Sequence, residues 1–170
     1  MTRKDTDTHV YFYTNEFSNF HPATIQHPRN PHITWRTSEH AFMWFKASFF
    51  GAKSVAHDIL AVEHPRDAKA LGRKVESYVE SEWVAVRLGF MTLVNLWKYQ
   101  QNKDLRKLLL DTGTKTLVEA SKKDLVWGVG LYNTDPLILD EQNWLGTNLL
   151  GRALMDVRGI IAPVEVSWLD

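Results

Sequence analysis

The spacing of apolar and polar positions divides the chain into a strand-forming beginning and a helical remainder. Val10 and Phe12 fall on one side and Tyr11 and Tyr13 on the other, which predicts a strand over His9 to Tyr13. Thr24 to Gln26 and His32 to Trp35 flank Pro28-Arg29-Asn30-Pro31, a turn-forming run that predicts a β-hairpin. Beyond it Thr37 or Ser38 can cap a helix that runs through Glu39 and Lys46 to about Phe50, with Gly51 as its stop. Short helices are predicted at about Ala52 to Val62 and, opened by Pro65 at the favoured first position, at about Pro65 to Val75. Ser81 is expected to cap a long helix on which Trp83, Arg87, Phe90, Val94 and Trp97 form one broad aromatic face. A further helix is predicted from Lys103 to Asp111, ended at Gly113, then a strand from Lys115 to Ala120. A loop rich in functional residue types covers Lys123 to Trp144. Asn148 is a candidate cap for the last helix, whose Leu150, Leu154, Val157 and Ile161 repeat on one face.

These elements describe an α+β fold: one mainly helical domain with a small antiparallel sheet. A length of 170 residues with 44% hydrophobic content suits one compact core. No internal repeat or Gly/Ser linker divides it, so the domain is placed at 10–162, after a mobile segment at 1–9 and before a C-terminal tail at 163–170. Twenty basic residues balance twenty acidic ones, so the chain lacks the basic excess needed to grip nucleic acid chiefly by phosphate neutralisation. The absence of cysteine excludes disulfides, thiolate metal sites and a cysteine nucleophile. Histidines are scattered, with neither His-x-His nor the helical two-histidine zinc pattern, so no metal and no cofactor are expected. No stretch approaches the roughly 18 apolar residues of a membrane span, and an intracellular, cytoplasmic monomer is expected, with a nuclear setting open in a eukaryote.

Four clusters carry candidate chemistry. In Trp35-Arg36-Thr37-Ser38-Glu39-His40, Glu39 falls in a first helical turn, where free N–H groups and the helix dipole favour the carboxylate. Lys46 follows about 20° around the same helix and lies among Trp44, Phe45, Phe49 and Phe50. Partial desolvation there would lower its pKa and make it a candidate amine nucleophile or acid/base. The same spacing also serves a capping glutamate and a lysine that snorkels to water. Phe17-Ser18-Asn19-Phe20 offers hydroxyl, amide and backbone donors to a sugar or phosphate, or a self-bonded turn. Gly72-Arg73 combines close backbone approach with a bidentate fork for phosphate. Asp124-Leu125-Val126-Trp127-Gly128-Val129-Gly130 suits a flat ligand against Trp127 and Gly128, with Asp124 near ribose hydroxyls or a water, or else a turn with a buried tryptophan. His40 reads as a packed or capping histidine. The fingerprints of Rossmann dehydrogenases, P-loop NTPases and α/β-hydrolases are absent from the sequence.

Taken in order, Phe17-Ser18-Asn19-Phe20, Trp35 with Thr37-Ser38-Glu39-His40 and Lys46, Ala70-Leu71-Gly72-Arg73, Trp83 with Met91, Leu117-Val118-Glu119, Asp124 with Trp127-Gly128-x-Gly130, and the run Asn148 to Arg158 resemble the NADAR (YbiA-like) family. The resemblance spans about Val10 to Ile161. It implies a metal-independent N-glycosidase that binds ADP-ribose or related ribosylated compounds. Family activities include removing ADP-ribose from guanine bases in DNA, RNA or free nucleotide and cleaving riboflavin-pathway ribosylamino-pyrimidine phosphates. Carried over, Glu39, Lys46 and Asp124 would be catalytic, and Ser18, Asn19, Gly72, Arg73, Trp83, Trp127 and Gly128 would bind substrate. A non-catalytic ADP-ribose reader is the third reading, and it leaves the Glu39 and Lys46 pair unexplained. Leu131 to Thr147 is longer than the glycine-rich stretch of small YbiA proteins, a departure that favours ADP-ribosyl substrates over the riboflavin intermediate. Two routes fit the residues: Glu39 stabilising an oxocarbenium-like ribose, or Lys46 capturing the opened sugar as a Schiff base. The expectation is that Glu39 and Lys46, displayed on the same helix, converge on the anomeric carbon of a bound ribose.

Overall fold

The computed structural model describes residues 3–163, so most of the expected tail lies outside the described residues. Strand β1 (Arg3–Asp5) pairs antiparallel with β2 (His9–Phe12), within the stretch expected to be mobile. Strand β2 also pairs in parallel with β5 (Thr116–Glu119), in the order β1-β2-β5. This sheet is therefore mixed, where a purely antiparallel one was expected. Parallel pairing needs a long crossover, and here the crossover contains most of the helices. A separate hairpin joins β3 (Ile25–His27) to β4 (Asn30–Trp35). Its turn is tighter than predicted, because His27 already pairs with Asn30.

Helix α1 (Ser38–Phe49) is capped by Thr37, whose hydroxyl accepts from the His40 backbone N–H. It ends before Gly51, whose φ of 71° is the left-handed conformation a glycine adopts without strain. Helices α2 (Lys53–Ala61), α3 (Pro65–Gly72), α4 (Glu80–Gln101) and α5 (Lys103–Leu110) follow, and α6 (Leu149–Ile161) closes the fold. Two expected caps are absent. Helix α4 begins ahead of Ser81, with Val79 at the cap position and no side-chain cap bond. Asn148 stands at the start of α6 in a left-handed conformation, but its amide turns to β5 instead. There Oδ1 accepts from Glu119 N at 3.0 Å and Nδ2 donates to Leu117 O at 2.9 Å.

Strand alternation decides what each face meets. Val10, Phe12 and Leu117 pack with Phe42, Met91, Leu154 and Val157 in the main core between sheet and helices. Tyr11 and Val118 face the other way, onto Val129 and Ile138 of the long loop. A third cluster seats the hairpin on the helices, with Trp35 and Trp97 stacked at 6.1 Å and Trp44 and Phe45 beside them. These aromatic side chains are thus structural.

Candidate active site

The start of α1 is held against the Ser18-Asn19 turn. Glu39 N donates to Asn19 O at 3.0 Å, and Asn95 Nδ2 donates to Asn19 Oδ1 at 3.2 Å. Lys98, fully buried on α4, donates to Glu16 O at 2.8 Å and Ser18 O at 3.1 Å. Burial pushes the Lys98 ammonium down to about 7, with Glu16 opposing. This anchoring places Glu39 in the interior, 5% exposed, with Oε1 lacking a hydrogen-bond partner among the described residues. Burial pushes its carboxyl up to about 7; Asp124 adds to the rise, while Lys69 and Arg73 oppose it. The expectation of a plain carboxylate is corrected: desolvation outweighs the first-turn dipole, which acts only over a short range.

Glu39 and Lys46 do not open on one cavity. Lys46 lines a cleft of about 610 Å³ with Tyr78, Trp83, Arg73, Lys69, Asp124 and Trp127. Glu39 lines a pocket of about 60 Å³ with Ser18, Phe20, Glu119, Lys69, Asp124 and Trp127. The cavities adjoin, sharing Lys69, Asp124 and Trp127 as a common wall. The helical period put the two residues on one side of α1, but seven residues of rise, about 10 Å, separate them along its axis. The Lys46 ammonium stands 4.1 Å from the Tyr78 ring centroid. Burial lowers its pKa and Arg73 adds to the fall, while Glu80 opposes it.

The other expected residues divide between lining and scaffolding. Arg73 and Trp83 line the cleft, and Trp127 lines both cavities while packing edge-on against Phe42 at 5.1 Å. Asp124 also lines both, but its Oδ1 is engaged by the backbone N–H groups of Val126 and Trp127 at 3.1 and 2.8 Å. Ser18 and Asn19 line the small pocket, although the Asn19 amide is held by Asn95 and Met91. Gly72 and Gly128, both expected to bind substrate, are closely packed against neighbouring residues. A Cβ on Gly72 would overlap the Met43 sulfur, and one on Gly128 would come within 2.9 Å of Glu119 O. Each glycine permits a close approach that positions neighbouring site residues.

Lys69 and Glu119 were not singled out for the site, although both left a sequence signal. Lys69 precedes Arg73 by four residues across the α3 helix and its cap, so the two share a side. Glu119 lies two residues after Leu117, on the same face of β5, and so points inward, an anomalous place for a charge. It is 8% exposed, with Oε2 lacking a hydrogen-bond partner among the described residues, and burial holds its carboxyl well above the usual range, with Asp124 and Glu39 adding and Lys69 opposing. Lys98 showed no such signal, because its position on α4 does not reveal the loop it bonds. Among the described residues no three His, Cys, Asp or Glu side chains are placed to hold a metal ion, and no helix is long and apolar enough to cross a membrane.

The NADAR domain model matches residues 8–162. N-glycosidase R617 of Acanthamoeba polyphaga mimivirus is 33% identical, over 91% of this chain and 96% of its own. The chloroplastic riboflavin biosynthesis protein PYRR of Zea mays is 31% identical, with 91% of this chain matching 25% of that longer protein. The NMR structure of the E. coli protein YbiA superimposes with a TM-score of 0.72 at 30% identity, covering 94% of this chain and 88% of that one. With the domain matched almost end to end and the fold shared, the chain belongs to the NADAR family and is an enzyme of the N-glycosidase class.

Proposed function

We propose that the protein hydrolyses the N-glycosidic bond between ADP-ribose and guanine, in a nucleotide or in nucleic acid. The observation that carries this reading is the charge of the cleft. Lys46, Lys69, Arg73, Arg87 and Lys123 line it against the single carboxylate of Asp124, in a chain whose net charge is zero. Cations concentrated in one cleft attract an anionic ligand, and a diphosphate between two sugars meets that description. Arg73 supplies the fork for the diphosphate, and Trp83 and Trp127 supply apolar walls for the ribose. At the junction of the two cavities the ribose presents its anomeric carbon to Glu39, whose carboxylate form stabilises the positive charge that develops there. Lys46 is the amine for a Schiff-base route, reaching the opened sugar from the cleft side. An oligonucleotide carrying ADP-ribosylated guanine should yield free ADP-ribose and restored guanine, read by mass spectrometry. No release, with loss of the base from a ribosylamino-pyrimidine phosphate, would overturn the reading in favour of a riboflavin-pathway substrate. The similarity to the maize riboflavin protein supports that second reading.

A further inference from the structure

We propose that Glu119 is a second catalytic carboxyl, the proton donor to the departing base. The proposal rests on the N-glycosidase activity but not on which base the substrate carries. Three observations lead to it. Glu119 lies beside Glu39 in the small pocket, more than nine-tenths buried, with Oε2 unpartnered among the described residues. Unlike Glu39, it also lines a neighbouring cavity of about 210 Å³ bounded by Tyr13, Phe20, Arg66 and Ser121. That cavity includes neither Lys46 nor Arg73, so a diphosphate held in the main cleft leaves it free for the base, with aromatic rings to stack on. Glu119 thus faces the leaving-group side and Glu39 the sugar side. The raised pKa of Glu119 keeps it protonated where an acid is needed.

The step balances. The bond from C1′ to the base nitrogen breaks and its electron pair passes to the base, which takes the Glu119 proton. Water adds its oxygen to C1′ and loses one proton to the Glu39 carboxylate. The products are the free sugar, the neutral base, ionised Glu119 and protonated Glu39, and proton transfer from Glu39 back to Glu119 restores the start. Two carboxyls set apart by environment take the two roles.

The test uses whichever ribosyl N-glycoside the wild-type protein cleaves, so that an error in the assigned base does not obscure the outcome. Glu119→Gln, isosteric and uncharged, should lower the single-turnover rate about 10²- to 10⁴-fold with little change in KM. It should also abolish the fall in rate that the wild-type protein shows at alkaline pH, and Glu119→Asp should restore part of the rate. A wild-type rate in Glu119→Gln, or an alkaline limb that survives the substitution, would overturn the assignment. Should Glu119→Gln fail to fold, isotope-edited infrared spectra of Glu39→Gln decide the question. A protonated-carboxyl band from glutamate at neutral pH supports the proposal, and its absence refutes it.

Discussion

The Lys69 ammonium stands 3.9 Å from Asp124 Oδ2, and the two form the sill between the cleft and the acidic pocket. Lys69 holds down the pKa values of both Glu39 and Glu119. Without that charge each carboxyl ionises less readily. Lys69→Met should therefore shift the acidic limb of the pH–rate profile to higher pH, since catalysis needs the Glu39 carboxylate. A limb that stays in place would show that Lys69 does not act on Glu39.

Glu39→Gln is expected to remain folded and to lose about 10²- to 10⁴-fold in rate. It should also change how stability depends on pH. In the fold Glu39 titrates at about 7, against 4.5 when solvated, so the native state holds a proton that the unfolded state releases. The resulting stabilisation is complete below 4.5 and is lost as pH rises through about 7. The shift corresponds to about 3 kcal/mol, an order-of-magnitude figure for a buried carboxyl. Urea denaturation at pH 5 and pH 8 should show the variant gaining on the wild-type protein at the higher pH; an equal difference at both would contradict it.

Borohydride added during turnover should leave a stable sugar adduct on Lys46, located by peptide mass spectrometry. An adduct on Lys69 would move the amine role to the sill. No adduct, with activity surviving Lys46→Ala, would remove the Schiff-base route and leave direct attack by water.

Most of the architecture could be read from the chain, and less of the site. The strand at His9, the capped helix at Thr37 and the inner face of α6 follow from local periodicity, which packing reinforces. The β2–β5 pairing could not be read in that way, because it joins segments separated by most of the helices. Glu39, Lys46, Arg73, Trp83, Asp124 and Trp127 were all singled out and all reach one of the two adjoining cavities. Their protonation was less legible, since desolvation depends on what the rest of the chain places around a side chain. Asn148 shows the same limit: a residue type suited to capping is drawn instead to the backbone of a distant strand.

Lys98 contributes to the site without lining either cavity. Its pKa falls in the fold from 10.5 to about 7, so its contribution to stability is present above 10.5 and is lost as pH falls through about 7. Lys98→Met removes this dependence but deprives the Glu16 and Ser18 carbonyls of a donor, each worth about 1 to 3 kcal/mol when left buried and unpaired. The freed turn borders the Glu39 pocket and not the main cleft. Kinetics should therefore show kcat falling with KM nearly unchanged; a rise in KM alone would refute this positioning role.

The narrowness of the acidic pocket bears on which molecules can accept the sugar. At about 60 Å³ it has room for a few waters, against about 610 Å³ for the main cleft. A second nucleoside is too large to stand within it beside Glu39. A nucleophile that must stand in that space beside Glu39 is therefore expected to be water, which predicts hydrolysis over sugar transfer to a second nucleoside.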